Sequence, residues 1–110
     1  MVQIMDNVSS KITDKQMTLT VCGEIDHHSA KEIRRKMDAL ILANFPKDVR
    51  LDLSEVTFMD SSGLGLIMGR YSLVSDLGGR ICVLNPTDGV ARIMLMAGLE
   101  KIVPIEREKI

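Results

Sequence analysis

The stretch Thr57-Phe58-Met59-Asp60-Ser61-Ser62-Gly63-Leu64-Gly65 joins a predicted strand to a predicted helix and is the first candidate for a functional site, which the rest of the chain would present. Before it, residues 49 to 53 alternate apolar and polar side chains; after it, apolar residues recur at helical spacing as far as Leu77. Asp and Ser are favoured at helix starts because a side-chain oxygen can accept from the unpaired N–H groups of the first turn. Asp60, Ser61 and Ser62 are therefore predicted to lie at a strand-to-helix junction.

Two glycines follow the serines, and capping alone does not explain them. Gly63 and Gly65 fall in the first turns of the predicted helix, where glycine costs about 1 kcal/mol relative to alanine. We expect another backbone or a ligand to come close to the chain at these positions.

Composition limits the class of protein. The 110 residues predict one domain, 1 to 110, and 14 basic against 15 acidic side chains give a net charge of -1. This balance argues against nucleic acid or a membrane as a partner. The amino terminus does not read as a signal peptide, so we expect a cytoplasmic protein. Cys22 and Cys82 lie in separate strand-like runs and are expected to be reduced.

The pattern along the chain predicts alternating strands and helices. The first predicted elements are two strands at 2–5 and 17–22, joined by a polar segment around 9–11 and followed by a loop at 23–29. Helices are then predicted at 30–43, 62–77 and 88–97, with strands between them at 49–54 and 81–84. A last strand is predicted at 102–103, before a charged tail at 106–109. This order predicts an α/β fold with a mixed, mostly parallel sheet and an antiparallel N-terminal strand pair. Because the strands at 17–22 and 49–54 alternate, we expect the helices mainly on one face.

Glycine-rich turns of known enzymes do not fit the opening stretch. The stretch lacks the Lys followed by Ser or Thr that a Walker loop needs, and a dinucleotide-binding motif would need glycine at the position of Met68. A nucleophile elbow needs glycine two residues before the serine, and neither serine has one there. We therefore predict no catalytic residue and no cofactor. A hydrolase using Ser61 with His27 or His28 stays open as an alternative.

The segment Asp26-His27-His28 has two competing interpretations. Adjacent histidines point apart on most backbones and lack the spacing of a zinc pair, so no metal site is predicted. Asp26 or Ser29 can cap the next helix, or the loop can recognise a partner at a strand end.

The helix after Ser62 carries two apolar stripes, which predict burial from two sides, either by neighbouring helices or by a docked partner.

Several of these segments together resemble the anti-anti-sigma factors of the STAS superfamily, in particular its sporulation branch. They are Gly23-Glu24-Ile25-Asp26-His27-His28, Phe58-Met59-Asp60-Ser61-Ser62-Gly63-Leu64-Gly65, Gly69-Arg70-Tyr71 and Met96-Ala97-Gly98-Leu99 with Lys101-Ile102. The resemblance covers nearly the whole chain; after the last predicted strand, we expect the terminal helix of such proteins to be short or missing.

The resemblance implies a regulatory switch that is not itself an enzyme. In such proteins the unphosphorylated antagonist binds an anti-sigma factor that is also a serine kinase and holds ATP or ADP, which frees a sigma factor for sporulation transcription. Phosphorylation by that kinase stops binding, and a serine phosphatase reverses it. The phosphoacceptor maps to Ser61, and the partner-binding residues map to Asp26, His27, Asp60, Ser61, Ser62, Gly63 and Gly65. A STAS module that binds a ligand or acts as a scaffold in another signalling complex is the alternative.

Overall fold

The computed structural model describes residues 1–108, which form one sheet and three α-helices. The elements in chain order are β1 (Val2–Met5), β2 (Val8–Thr13), β3 (Gln16–Ile25), α1 (Ala30–Asn44), β4 (Asp48–Met59), α2 (Ser61–Asp76), β5 (Arg80–Leu84), α3 (Asp88–Met96), a 3-10 turn (Leu99–Lys101) and β6 (Ile105–Glu106). None of the helices in this part of the chain is long and apolar enough to cross a membrane.

The six strands lie in the sheet in chain order. β1, β2 and β3 pair antiparallel, and β3, β4, β5 and β6 pair parallel. The prediction of a mixed, mostly parallel sheet is confirmed. Parallel neighbours need a long connection, and α1, α2 and α3 supply the connections after β3, β4 and β5.

The antiparallel start contains three strands, so the predicted strand pair is incomplete. The polar segment at 9–11, expected to be a connection, lies inside β2. Ser10 in that segment is buried, and a serine at a position where alternation expects an apolar residue made the segment look like a polar connection. The true connections are two short turns, in which Asp6 and Asp14 adopt positive φ angles of 53° and 58°, a conformation that Asp tolerates better than most residues.

The core lies between one face of the sheet and the helices, as predicted from the alternating strands. The residues that β3 and β4 bury on this face are Met17, Leu19, Val21, Val49, Leu51 and Leu53. From α1 and α2 the core receives Ile33, Met37, Leu40, Ile41, Leu66, Ile67 and Val74. Both predicted stripes of α2 are buried in the core or packed against it: Leu64, Ile67, Met68, Tyr71 and Val74 form one stripe, and Leu66, Leu73 and Leu77 form the other. Within the described chain, α2 is therefore covered from two sides.

The other face of the sheet carries polar side chains. Thr18, Arg50 and Cys82 form one row across β3, β4 and β5. Both cysteines are free thiols, Cys22 exposed and Cys82 buried. Burial is the main cause that raises the pKa of the Cys82 thiol to about 12, so this thiol stays protonated at neutral pH.

Near the carboxyl end, the predicted boundaries need correction. The last strand is Ile105–Glu106, whereas the predicted strand at 102–103 follows the 3-10 turn, with Val103 buried in the core. Glu106 of the predicted tail belongs to β6, and Lys109 lies outside the described residues. Helical spacing predicts Val90, Ile93, Met94 and Ala97 on the inward face of α3; the structure buries Val90, Ala91 and Met94 there, while Ala97, at the end of the helix, is exposed.

Candidate functional site

The junction between β4 and α2 forms as the sequence predicts. Asp60 is the N-cap of α2, and its Oδ1 accepts a hydrogen bond from the Ser62 N–H at 2.8 Å. The Asp60 carbonyl accepts from the Gly63 N–H at 3.0 Å. Ser61 is the first residue of the helix and is exposed, while Ser62 is half-buried. The capping is thus done by Asp60, which leaves the Ser61 hydroxyl facing solvent.

Strand pairing places the Asp26 loop beside this junction. Ile25, the last residue of β3, is paired with Met59, the last residue of β4. The Asp60 N–H then donates to the Ile25 carbonyl at 3.1 Å. Because parallel strands end at the same edge of a sheet, Asp26 and Ser61, each one or two residues beyond these ends, belong to one surface.

The Asp26 carboxylate organises its own loop. Its Oδ1 accepts from the N–H groups of His28 and Ser29, each at 2.9 Å. The Ser29 hydroxyl accepts from the Asp26 N–H at 3.0 Å and donates to the Glu24 carbonyl at 2.8 Å. The hydrogen bond from the Ser29 backbone is the largest cause that lowers the pKa of Asp26 below its ordinary value. Asp26 therefore fixes the turn before α1 without capping the helix, because Ser29 holds the N-cap position and no side chain makes a capping hydrogen bond there. The Asp26 Oδ2 accepts no hydrogen bond from residues 1–108, which leaves it open to a partner.

The two histidines are exposed at the tip of the same loop. Their ring centroids are 5.8 Å apart, with the rings near perpendicular. Within residues 1–108, no group of three or more His, Cys, Asp or Glu side chains is placed to hold a metal ion. No hydrogen bond in this part of the chain joins either imidazole to Ser61, so the arrangement lacks the contact that a serine hydrolase uses to activate its nucleophile.

The two glycines of α2 have different reasons to be glycine. A Cβ at Gly63 would overlap the Met59 side chain, so Gly63 allows α2 to begin directly against the end of β4. A Cβ at Gly65 would have no heavy atom within 4 Å. The close approach at Gly63 is therefore made by a side chain, and not by the backbone or ligand that the sequence predicts, while nothing in the described chain requires glycine at Gly65.

An open groove of about 350 Å³ lies between α1 and α2 at this end of the sheet. Its walls include His27, Lys31 and Arg34 on the α1 side and Ser62, Gly65 and Leu66 on the α2 side. Its ionisable residues are all basic types. Lys31 and Arg34 were not predicted as site residues, although their spacing of three on a helix places them on one face.

An ion pair between a buried arginine and a half-buried aspartate joins α1 to α2 beyond the groove. Arg70 of α2 is 5% exposed, and its Nε lies 2.9 Å from Oδ1 of Asp38 on α1. The N–H is not aligned for a hydrogen bond, so the contact is mainly electrostatic. Burial is the main cause that lowers the pKa of the Arg70 guanidinium, and Asp38 opposes it.

The structure brings the predicted site residues to one end of the sheet. The contiguous group at the start of α2 is Asp60, Ser61, Ser62, Gly63 and Gly65, and the neighbouring loop supplies Asp26 and His27. Phe58, just before this group, is 51% exposed although it lies in a strand. The arrangement presents an accessible hydroxyl between a loop and a groove, with a helix amino terminus behind it, and this geometry suits a modification site within a docking surface.

Comparison with known proteins gives the same family from sequence and from structure. Residues 7–109 match the STAS domain. An anti-sigma F factor antagonist of Paenibacillus polymyxa is 40% identical over 89 residues, covering 81% of this chain and 76% of that protein. The unphosphorylated form of the anti-sigma factor antagonist SpoIIAA superposes with a TM-score of 0.78 at 27% identity, covering 93% of this chain and 88% of the other.

The phosphorylated form of SpoIIAA, a Bacillus cell fate determinant, superposes with a TM-score of 0.71 at 26% identity, covering 93% of this chain and 91% of that one. The sequence match and the structural matches each span more than two thirds of both partners in the comparison. The chain therefore belongs to the STAS domain family and, within it, to the anti-sigma factor antagonists.

Proposed function

We propose that this chain, in its unphosphorylated form, binds an anti-sigma factor that is also a serine kinase and so releases a sigma factor for sporulation transcription. Phosphorylation of Ser61 by that partner ends the interaction, and a serine phosphatase in the cytoplasm restores it. The observation that carries this proposal is the exposed hydroxyl of Ser61 at the first position of α2, beside the Asp26 loop. Similarity to the anti-sigma F factor antagonist of Paenibacillus polymyxa supports the choice of partner.

In the proposed phosphoryl transfer, the antagonist supplies only the acceptor hydroxyl. The Ser61 Oγ attacks the γ-phosphorus of ATP held by the kinase, the bond from that phosphorus to the β–γ bridging oxygen breaks, and ADP leaves. The hydroxyl proton passes to a base of the kinase, as in other protein kinases. The antagonist contributes an accessible oxygen on a rigid element, which lowers the cost of positioning it.

The helix start explains how the domain can carry the product. The helix dipole at the beginning of α2 stabilises an anion by about 0.3 to 1 kcal/mol. A docked partner would have to desolvate a group carrying about -1.5 to -2 charges next to Asp60. The phosphate is therefore tolerated in the free chain and opposed in the complex.

Asp26 and His27 are proposed as partner contacts next to the phosphoacceptor. The Asp26 Oδ2 is not used within residues 1–108, and the His27 ring is exposed. Because the loop is held by hydrogen bonds of Ser29, these groups are presented with little freedom to lose on binding.

The direct test is to incubate the chain with the purified anti-sigma kinase of the same organism and ATP. We expect one phosphate, placed on Ser61 by tandem mass spectrometry. Ser61→Ala should abolish labelling, and the matched variant Ser62→Ala should still be labelled. A phosphate on Ser62, or labelling of Ser61→Ala at the normal rate, would show that the assignment is wrong.

A further inference from the structure

The groove between α1 and α2 carries positive charge in a chain whose net charge is -1. Lys31 and Arg34 line it, and both are exposed. Neither makes an ion pair with a carboxylate of residues 1–108. The charge is therefore available to a group from outside the chain.

The neighbouring cations of α1 behave differently. Arg35 pairs with Glu32, and Lys36 pairs with Asp6. In the same region, the Asp38 carboxylate is already engaged by Arg70. The cations of α1 outside the groove, Arg35 and Lys36, are therefore paired with carboxylates. The two that line the groove, Lys31 and Arg34, are not paired with any carboxylate of residues 1–108.

The groove is large enough to receive a polypeptide segment with its side chains. Its volume of about 350 Å³ is far larger than one small anion occupies. Leu66 gives it an apolar floor, and Gly65 leaves open space where any other residue would place a Cβ. Since glycine here costs about 1 kcal/mol of helix stability and no contact in the described chain requires it, the open space is consistent with a partner that fills it.

We propose that this groove docks an acidic segment of the anti-sigma factor, whose Asp or Glu carboxylates pair with Lys31 and Arg34. The inference rests on the proposed function and deepens it by naming the chemistry of the partner. Charge complementarity is the reason for choosing an acidic polypeptide, and the apolar floor is the reason for choosing a segment over a free ion.

The position of the groove also links docking to the modification. Ser62 lines the groove, and Ser61 precedes it in the same helical turn. A phosphate on Ser61 adds negative charge at the edge of the surface that receives the partner's carboxylates. It therefore repels the acidic segment and competes with it for the two cations.

The test measures affinity for the purified anti-sigma factor of the same organism, with ADP present, at low and high salt. We expect Lys31→Gln/Arg34→Gln to weaken binding about tenfold at low salt and to reduce the salt dependence of the association rate. The control Arg35→Gln/Lys47→Gln makes the same change in net charge with exposed residues outside the groove, and should stay within about twofold of wild type. Circular dichroism of each variant checks that the fold is kept.

Each outcome decides a different statement. If the wild-type chain binds and the groove variant binds equally well, the groove assignment is wrong and the proposed function stands. If the wild-type chain forms no complex at either salt, both fail. If ADP alone binds the isolated chain and the groove variant abolishes that binding, a phosphate is the occupant and the acidic segment is excluded.

Discussion

Two adjacent serines begin α2, and their surroundings differ enough to give them different roles. Ser61 is exposed and its hydroxyl makes no hydrogen bond within residues 1–108, whereas Ser62 is half-buried and its N–H is held by Asp60. A kinase has to bring its ATP within bonding distance of the acceptor oxygen. The exposed hydroxyl meets this requirement without any opening of the helix, which is why Ser61 is the proposed acceptor.

The two glycines of the same turn provide a prediction at the residue scale. Gly65→Ala should stabilise the free protein by about 0.5 to 1 kcal/mol, because alanine is the better helix former and its Cβ meets open space. Gly63→Ala should destabilise it by about 1 to 3 kcal/mol, because the new Cβ overlaps the side chain of Met59. Urea denaturation of both variants measures the two effects. Equal shifts in the same direction would contradict this account of α2.

Because its Cβ would enter the groove, Gly65→Ala also separates stability from binding. We expect the variant to bind the anti-sigma factor more weakly although it unfolds at a higher urea concentration. A variant that is both more stable and equally tight would show that the space above Gly65 is not used by the partner.

At the scale of elements, the site depends on the ends of β3 and β4 and on the contact between α1 and α2. β4 is twelve residues long, and two register shifts against β3 let Met59 end beside Ile25. Such irregularities bend a strand and re-aim its last residues. The same end of the sheet then carries the loop, the helix start and the groove.

The buried pair between Asp38 and Arg70 gives a prediction at this scale. Asp38→Asn should cost about 2 to 3 kcal/mol of folding free energy, because it leaves the Arg70 charge buried without a counter-charge. The cost stays below that of a fully buried pair because the Asp38 side chain is 32% exposed. The matched change Glu32→Gln breaks an exposed pair on the same helix and should cost less than about 1 kcal/mol. Chemical denaturation of the two variants compares them, and equal losses would refute the role assigned to Arg70.

At the scale of the whole molecule, phosphorylation should act locally. The sheet is paired across all six strands, and its core is separate from the exposed start of α2. We expect the phosphoprotein to keep its fold while its affinity for the anti-sigma factor falls by about a thousandfold, which corresponds to about 4 kcal/mol. Backbone amide shifts should change around Ser61 and the Asp26 loop only.

The same two measurements can reject this mechanism. Amide shifts that change throughout β3, β4 and β5 would mean that the phosphate remodels the sheet. A phosphoprotein that binds as tightly as the unmodified chain would mean that charge at Ser61 does not control docking. Ser61→Asp, with a smaller charge than phosphate, should lower affinity less than phosphorylation does.

Local patterns of residues were enough to predict several elements of this fold. Period-2 alternation at 17–22 and 49–54 predicted the one-sided sheet, and helical spacing predicted α1, α2 and α3 within one or two residues. The motif around Ser61 was found in the same way, because a polar strand-to-helix turn with glycines is a local pattern.

Tertiary structure decided what local patterns do not encode. The sequence did not predict β2, because a serine, Ser10, occupies one of its buried positions. A polar residue at a buried position breaks the alternation of apolar and polar side chains by which a strand is recognised. The groove was missed because Lys31 and Arg34 face α2 only after the sheet has set α1 beside it. Whether a cation is neutralised depends on which carboxylates the fold brings within a few ångströms, and that is a property of packing between elements distant in sequence.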